Sequence, residues 1–182
     1  MSINCIRTLI ETAGDRAPEK IGLIDGDRSF TYEKLYKKVN QVAKYLSEMN
    51  LEKGARVGIY SYKSAEQIIA IFALLSTDYV LVPISRLLKP EQVEHIIKDC
   101  GISCIITDGK KLKNIEEVAF DGTIITYEAT DKDIVSFEEI YKCVSTEYRS
   151  NIGGHTNAAI TYSFGSSALP NGIVLTHRNL ID

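Results

Sequence analysis

Apolar residues recur at three- and four-residue steps from Leu35 through Val39, Val42, Ala43 and Leu46 to Met49, predicting an amphipathic helix that Thr31 caps and the turn at Gly54 closes. Short apolar runs then alternate with helical patterns. Val57 to Tyr60 reads as a strand, Ser64 to Leu75 as a buried helix, Tyr79 to Ile84 as a second strand, and Pro90 opens a helix through Asp99. Cys104 to Thr107 completes a third strand. Strands apolar on both faces and separated by helices predict βαβ units: an α/β fold with a largely parallel sheet and helices on both faces.

The flanks are less regular. Ile3 to Ala13 predicts a short amphipathic helix, and Ile21 to Ile24 with Arg28 to Phe30 predicts a small hairpin across an Asp-Gly-Asp turn. Between Gly109 and Asn157 the pattern supports only a strand at Thr123 to Thr126 and a short helix near Phe137 to Cys143. Ser150 to Gly154 reads as a linker into a final pair of strands. Thr176 or Asn179 is placed to cap a helix beginning near Leu180, and a chain ending at Asp182 as that element opens reads as a fragment.

Composition narrows the functional classes. At 182 residues and 45% hydrophobic content the chain suits one globular domain, 1–182. A formal net charge of −3 gives no electrostatic footprint for nucleic acid. Lys34, Lys37, Lys38 and Lys44 fall on one helix and are expected to keep its outer face solvated. Ile68 to Leu75 is too short to cross a bilayer and the N-terminus lacks a secretory pattern, so no membrane association and a cytoplasmic location are expected. Cys5, Cys100, Cys104 and Cys143 lack zinc-site spacing and are expected to be reduced, mostly buried thiols.

The chemistry concentrates between Ile160 and His177. A Ser- and Gly-rich loop between two apolar strands lets backbone N–H groups approach an anion, and Ser163, Ser166 and Ser167 add hydroxyl donors. The loop is not a Walker A motif, because Asn171 stands where a lysine would be needed. Pro170-Asn-Gly172 is also ordinary turn chemistry, so residue types alone fit a plain hairpin equally well. His95 and His155 look isolated; His177 follows the second strand and by position could neighbour a ligand, although a structural role is the stronger reading for all three.

Three features in order resemble the N-terminal part of the adenylate-forming ligases, the group that includes acyl-CoA synthetases, luciferases and nonribosomal peptide synthetase adenylation domains. Phe30-Thr-Tyr-Glu-Lys-Leu35 matches an early Thr-Tyr-x-x-Leu helix start, and Leu75 to Ile84 matches the strand that usually follows Lys-Ala-Gly. The loop matches the signature Tyr-Thr-Ser-Gly-Thr-Thr-Gly-x-Pro-Lys-Gly-Val at Tyr162, Gly165, Pro170 and Gly172, with Ser163, Ser166 and Ser167 as hydroxyl replacements. Leu175-Thr-His-Arg-Asn-Leu180 agrees with the tail Leu-Thr-His-x-Asn-Leu. Phe164, Ala168 and Asn171 depart from it, replacing a hydroxyl residue, a glycine and the lysine.

The resemblance implies an N-terminal subdomain ending in a phosphate-loop hairpin, with ATP and Mg²⁺ as cofactors. Ser163, Gly165, Ser166, Ser167, Ala168, Asn171 and Gly172 would then lie against the β- and γ-phosphates. It implies a carboxylic acid substrate, with CoA or a carrier protein as acceptor. No catalytic residue is carried over, since the family's adenine, metal and acyl contacts come from later sequence, and this chain alone is expected to bind ATP weakly or not at all. A non-catalytic interaction or regulatory module of the same fold is the alternative.

Overall fold

The computed structural model describes residues 5–163 and 170–182. A first helix, α1 (Arg7–Arg16), precedes a two-stranded hairpin, β1 (Ile21–Asp25) and β2 (Arg28–Thr31), and then α2 (Tyr32–Ser47). The βαβ core follows as β3 (Arg56–Tyr60), α3 (Ala65–Leu74), β4 (Val80–Ile84), α4 (Pro90–Cys100), β5 (Ile102–Thr107), α5 (Gly109–Glu116) and β6 (Thr123–Thr126). The chain closes with α6 (Phe137–Cys143), β7 (Asn157–Ser163), β8 (Asn171–Thr176) and α7 (His177–Ile181).

The main sheet has the order β6-β5-β3-β4-β7-β8. Its first five strands are mutually parallel, and β8 returns antiparallel to β7 at one edge. Side-chain alternation along each strand divides the core between the two faces. Val57, Ile59, Leu81, Cys104 and Ile106 face α2, α3 and α6, where they meet Leu35, Val39, Leu46, Ile69 and Phe137. Tyr60, Val82, Ile84 and Ile105 face α4 and α5, meeting Val93, Ile96, Ile97 and Ile115. Continuous apolar runs in the strands thus reflect burial on both sides, as expected.

The helix ends have local causes. Thr31, Ser64 and Ser136 each accept a hydrogen bond from the backbone N–H three residues on, capping α2, α3 and α6. Gly101 ends α4 at φ 61°, the left-handed conformation a C-cap favours in glycine. Two expectations shift. The first helix runs Arg7–Arg16 rather than Ile3 to Ala13, and the last begins at His177 rather than Leu180, because Thr176 Oγ1 accepts from the Asn179 N–H while Asn179 Oδ1 accepts from the Thr176 N–H. Among the described residues no helix is long and apolar enough to cross a membrane.

Candidate functional site

β7 pairs with β4 in parallel at Leu81 and Ala159, so its last residue, Ser163, emerges at the same edge as the carboxyl ends of β3, β5 and β6. β8 then runs back with Tyr162 opposite Gly172 and Ser163 opposite Asn171. Ser163 and Asn171 therefore stand side by side at the open end of the hairpin, both exposed. Gly165, Ser166, Ser167 and Ala168 lie outside the described residues.

Gly172 sits in a tight place. A Cβ there would stand 3.0 Å from Ile160 Cγ2 and 3.3 Å from Tyr162 Cζ, so both side chains would have to give by a few tenths of an ångström. Tyr162 in turn donates its hydroxyl proton to Asp99 Oδ2 at 2.6 Å, tying the hairpin to the end of α4. Burial, with the Asp99 carboxylate and the Cys100 thiol beside it, raises the Tyr162 phenol above its ordinary range and keeps it a donor.

The other end of the hairpin is anchored by His177, which is fully buried. Its Nδ1 accepts from the Ile6 N–H at 3.5 Å, joining the start of α1 to the end of β8, and its Nε2 has no partner among the described residues. Burial lowers its pKa, so the ring is neutral. His177 thus ties α1 to the hairpin from within the core. His155 is exposed and His95 half-buried, and neither forms a hydrogen bond to an acid, a thiol or a hydroxyl among the described residues.

Sequence reasoning passed over the crevice along the same carboxyl edge. β3 leads into α3 on one face and β5 into α5 on the other, so the two adjacent strands form a topological switch point, the usual ligand crevice of an open α/β sheet. Asp108 sits at its centre. Oδ2 accepts from the Tyr62 N–H at 2.5 Å, while Oδ1 accepts from the Lys110 and Lys111 N–H groups at 2.9 and 2.8 Å. A cleft of about 380 Å³ opens beside it, bounded by Tyr62, Ser64, Lys110, Tyr127 and Glu128. The Arg86 guanidinium and the Lys110 and Lys111 ammonium groups lie 5.1, 5.4 and 5.5 Å from the Tyr62 ring centroid. None of the three cations is ion-paired among the described residues. Lys residues scattered along a sequence give no sign of such convergence, although their position just past a strand end was available.

Cys5 and Cys104 are buried, Cys100 half-buried and Cys143 exposed, all as free thiols. Burial pushes the Cys104 thiol up to about 12, which leaves it unreactive. Among the described residues no three His, Cys, Asp or Glu side chains converge to hold a metal ion.

Solved structures share this architecture. An anthranilate CoA ligase, AuaEII, in complex with anthranoyl-AMP superposes with a TM-score of 0.90 at 23% identity over 98% of this chain and 36% of that one. A benzoate CoA ligase from Burkholderia xenovorans LB400 gives 0.86 at 19% identity, with 98% and 36% covered. The N-terminal subdomain of Klebsiella oxytoca NpsA gives 0.80 at 18% identity, with 98% and 43% covered. The fold is that of the N-terminal subdomain of adenylate-forming ligases.

The sequence comparisons agree. A family model described as AMP-binding enzyme matches residues 10–182, and the chain belongs to that family. A linear gramicidin synthase of Brevibacillus parabrevis is 27% identical over 177 residues, 97% of this chain and 3% of that protein. A mycosubtilin synthase of Bacillus subtilis is likewise 27% identical over 177 residues, with 97% and 6% covered. Tyrocidine synthase 1 of Brevibacillus parabrevis is 23% identical over 175 residues, with 96% and 15% covered. The chain thus spans a small part of the curated relatives it matches.

Proposed function

We propose that this chain forms the N-terminal subdomain of an ATP-dependent acid-activating ligase whose phosphate loop is partly degenerate. In the reaction of that reading, a carboxylate oxygen bonds to the α-phosphorus of ATP as the bond from that phosphorus to pyrophosphate breaks. The observation that carries the reading is the hairpin register, which sets Ser163 beside Asn171 at the mouth of the Ser- and Gly-rich segment, on the carboxyl edge of a parallel sheet. Ser163 and Asn171 supply polar side chains where phosphate oxygens would lie, and Arg86, Lys110 and Lys111 on the same edge add positive potential toward a polyanion. The polyphosphate therefore fits the described residues, whereas Mg²⁺ finds no ligand cluster among them.

Asn171 offers a neutral hydrogen bond where the family signature places an ammonium. A charge-assisted bond contributes ~1.5–3 kcal/mol against ~0.5–1.5 for a neutral one, so the difference is about 1 kcal/mol, or roughly fivefold in affinity. Self-sufficient adenylation by residues 1–182 is not expected, and a carrier protein or CoA is the expected acceptor for the complete gene product. The test is ATP–pyrophosphate exchange by that product across a panel of fatty, aromatic and amino acids. Exchange that depends on one acid class, and that rises severalfold in Asn171→Lys/Ala168→Gly, is the expected result. Exchange with no acid overturns the ligase reading; exchange without any gain in the double variant overturns the degenerate loop.

A further inference from the structure

A cleft between β2, α2 and α6 leaves positive charge uncompensated. Phe30, Lys34, Lys37, Lys38, Gln41 and Tyr141 line it; it is shallow, open to solvent on one side, and holds about 590 Å³. It shares no residue with the β7–β8 hairpin or the switch-point crevice. Gln41 Nε2 donates to the Tyr141 and Val144 carbonyl oxygens at 3.0 and 2.9 Å, which ties α6 to α2 along one side of the cleft.

Lys38 is not the solvated surface lysine its sequence context suggests. It is half-buried, with Nζ 3.4 Å from the centroid of the Tyr141 ring. Burial lowers its pKa, the nearby Arg28 lowers it further, and Glu66 pulls the other way. Glu66 is itself occupied, since both Arg28 guanidinium NH groups donate to its carboxylate at 2.6 and 2.9 Å. Arg28 also binds Asp25, and Lys37 binds Glu33 at 2.7 Å. Neither Lys38 nor Lys34 has an acidic partner among the described residues. The Tyr141 hydroxyl is buried and has no protein partner either.

We propose that this cleft binds a small organic anion with a flat apolar body, of the aryl carboxylate or aryl phosphate class. Its anionic head would lie on Lys38 and Lys34, and its ring against Phe30 and Tyr141. Two features select that chemistry together. An ammonium on a ring and partly out of water gains more from an anion than a fully hydrated one does, and the aromatic lining rewards a flat apolar group over a bare inorganic ion.

The test titrates the protein with benzoate and phenyl phosphate by ligand-observed NMR, with inorganic phosphate and benzyl alcohol as comparisons. Saturable millimolar binding of benzoate or phenyl phosphate, tighter than either comparison, is expected; the preferred probe identifies the head group. Lys38→Met should weaken it at least about tenfold, the loss of one charge-assisted hydrogen bond. Lys38→Arg, which keeps the charge and guards against a folding artefact, should stay within about threefold. Lys113→Met, on the exposed face of α5, should leave binding unchanged. Inorganic phosphate binding as tightly as phenyl phosphate, affinity unaltered in Lys38→Met, or no saturable binding of either aryl anion would each overturn the proposal.

Discussion

Asp108 accepts three backbone N–H groups while only 7% exposed, so its removal has a calculable cost. Asp108→Ala removes the N-cap of α5, worth ~1 kcal/mol. It also takes the partner from the part-buried Tyr62 N–H just past β3, and a stranded donor costs up to ~1–3 kcal/mol. The expected loss is therefore ~2–4 kcal/mol. Asp108→Ser separates the two effects, because its hydroxyl still reaches the first turn of α5 but is too short to meet Tyr62 across the sheet edge; its expected loss is ~1–3 kcal/mol. Urea unfolding followed by circular dichroism reads both. With a slope of ~2 kcal/mol/M, the alanine variant should lower the midpoint by about 1–2 M at unchanged slope. A loss below ~0.5 kcal/mol for alanine, or a serine variant as damaged as the alanine one, would refute the reasoning that a bridging carboxylate ties β3 to α5.

Two further changes test buried polar groups. Tyr141→Phe removes a buried hydroxyl that has no protein partner, so stability should hold or rise by up to ~1 kcal/mol in the same urea assay, and a clear loss would reveal a partner. His177 is held neutral by burial, its folded pKa lying below the unfolded value of ~6.5; as pH falls through that value the unfolded state takes up the proton first. Its contribution is thus complete above about pH 7 and declines toward the lower folded pKa, so wild type should lose more stability between pH 7.5 and 5.5 than His177→Asn, which keeps an acceptor for the Ile6 N–H.

The sheet was legible because burial on both faces writes itself into consecutive residues. Val57, Ile59 and Tyr60 in β3 are all buried, as are Cys104, Ile105 and Ile106 in β5, and no alternation with polar residues was needed to find them. The stripe from Leu35 through Val39, Val42, Ala43 and Leu46 was equally readable and is buried, while Met49, expected as its last member, lies past the end of α2 and is only partly buried. Lys38 was not readable, for a physical reason. On its own helix it resembles Lys34 and Lys37; what covers it is the Tyr141 ring, 103 positions later, which core packing and the Gln41 bridge between α2 and α6 bring to it. Asp108 was missed likewise, since its partner Tyr62 lies just past β3, 46 residues earlier. Local pattern records what a residue buries against its own element, and both groups are defined by what another element brings to them.

The same distinction sorts the loop signature. Its matches at Tyr162 and Gly172 form one packed pair: the ring, with Ile160, crowds the place a Gly172 side chain would take, and its hydroxyl is fastened to Asp99. Both contacts are made within the protein, so these matches attest to the hairpin and its seat on α4. Asn171, by contrast, stands opposite Ser163 at the open end, where a side chain is free to meet a ligand. A chain under selection for shape alone would keep the first pair and tolerate change at the second position. Resemblance to the signature therefore argues more strongly for the fold than for adenylation, and the charge at position 171 is the place where the two separate.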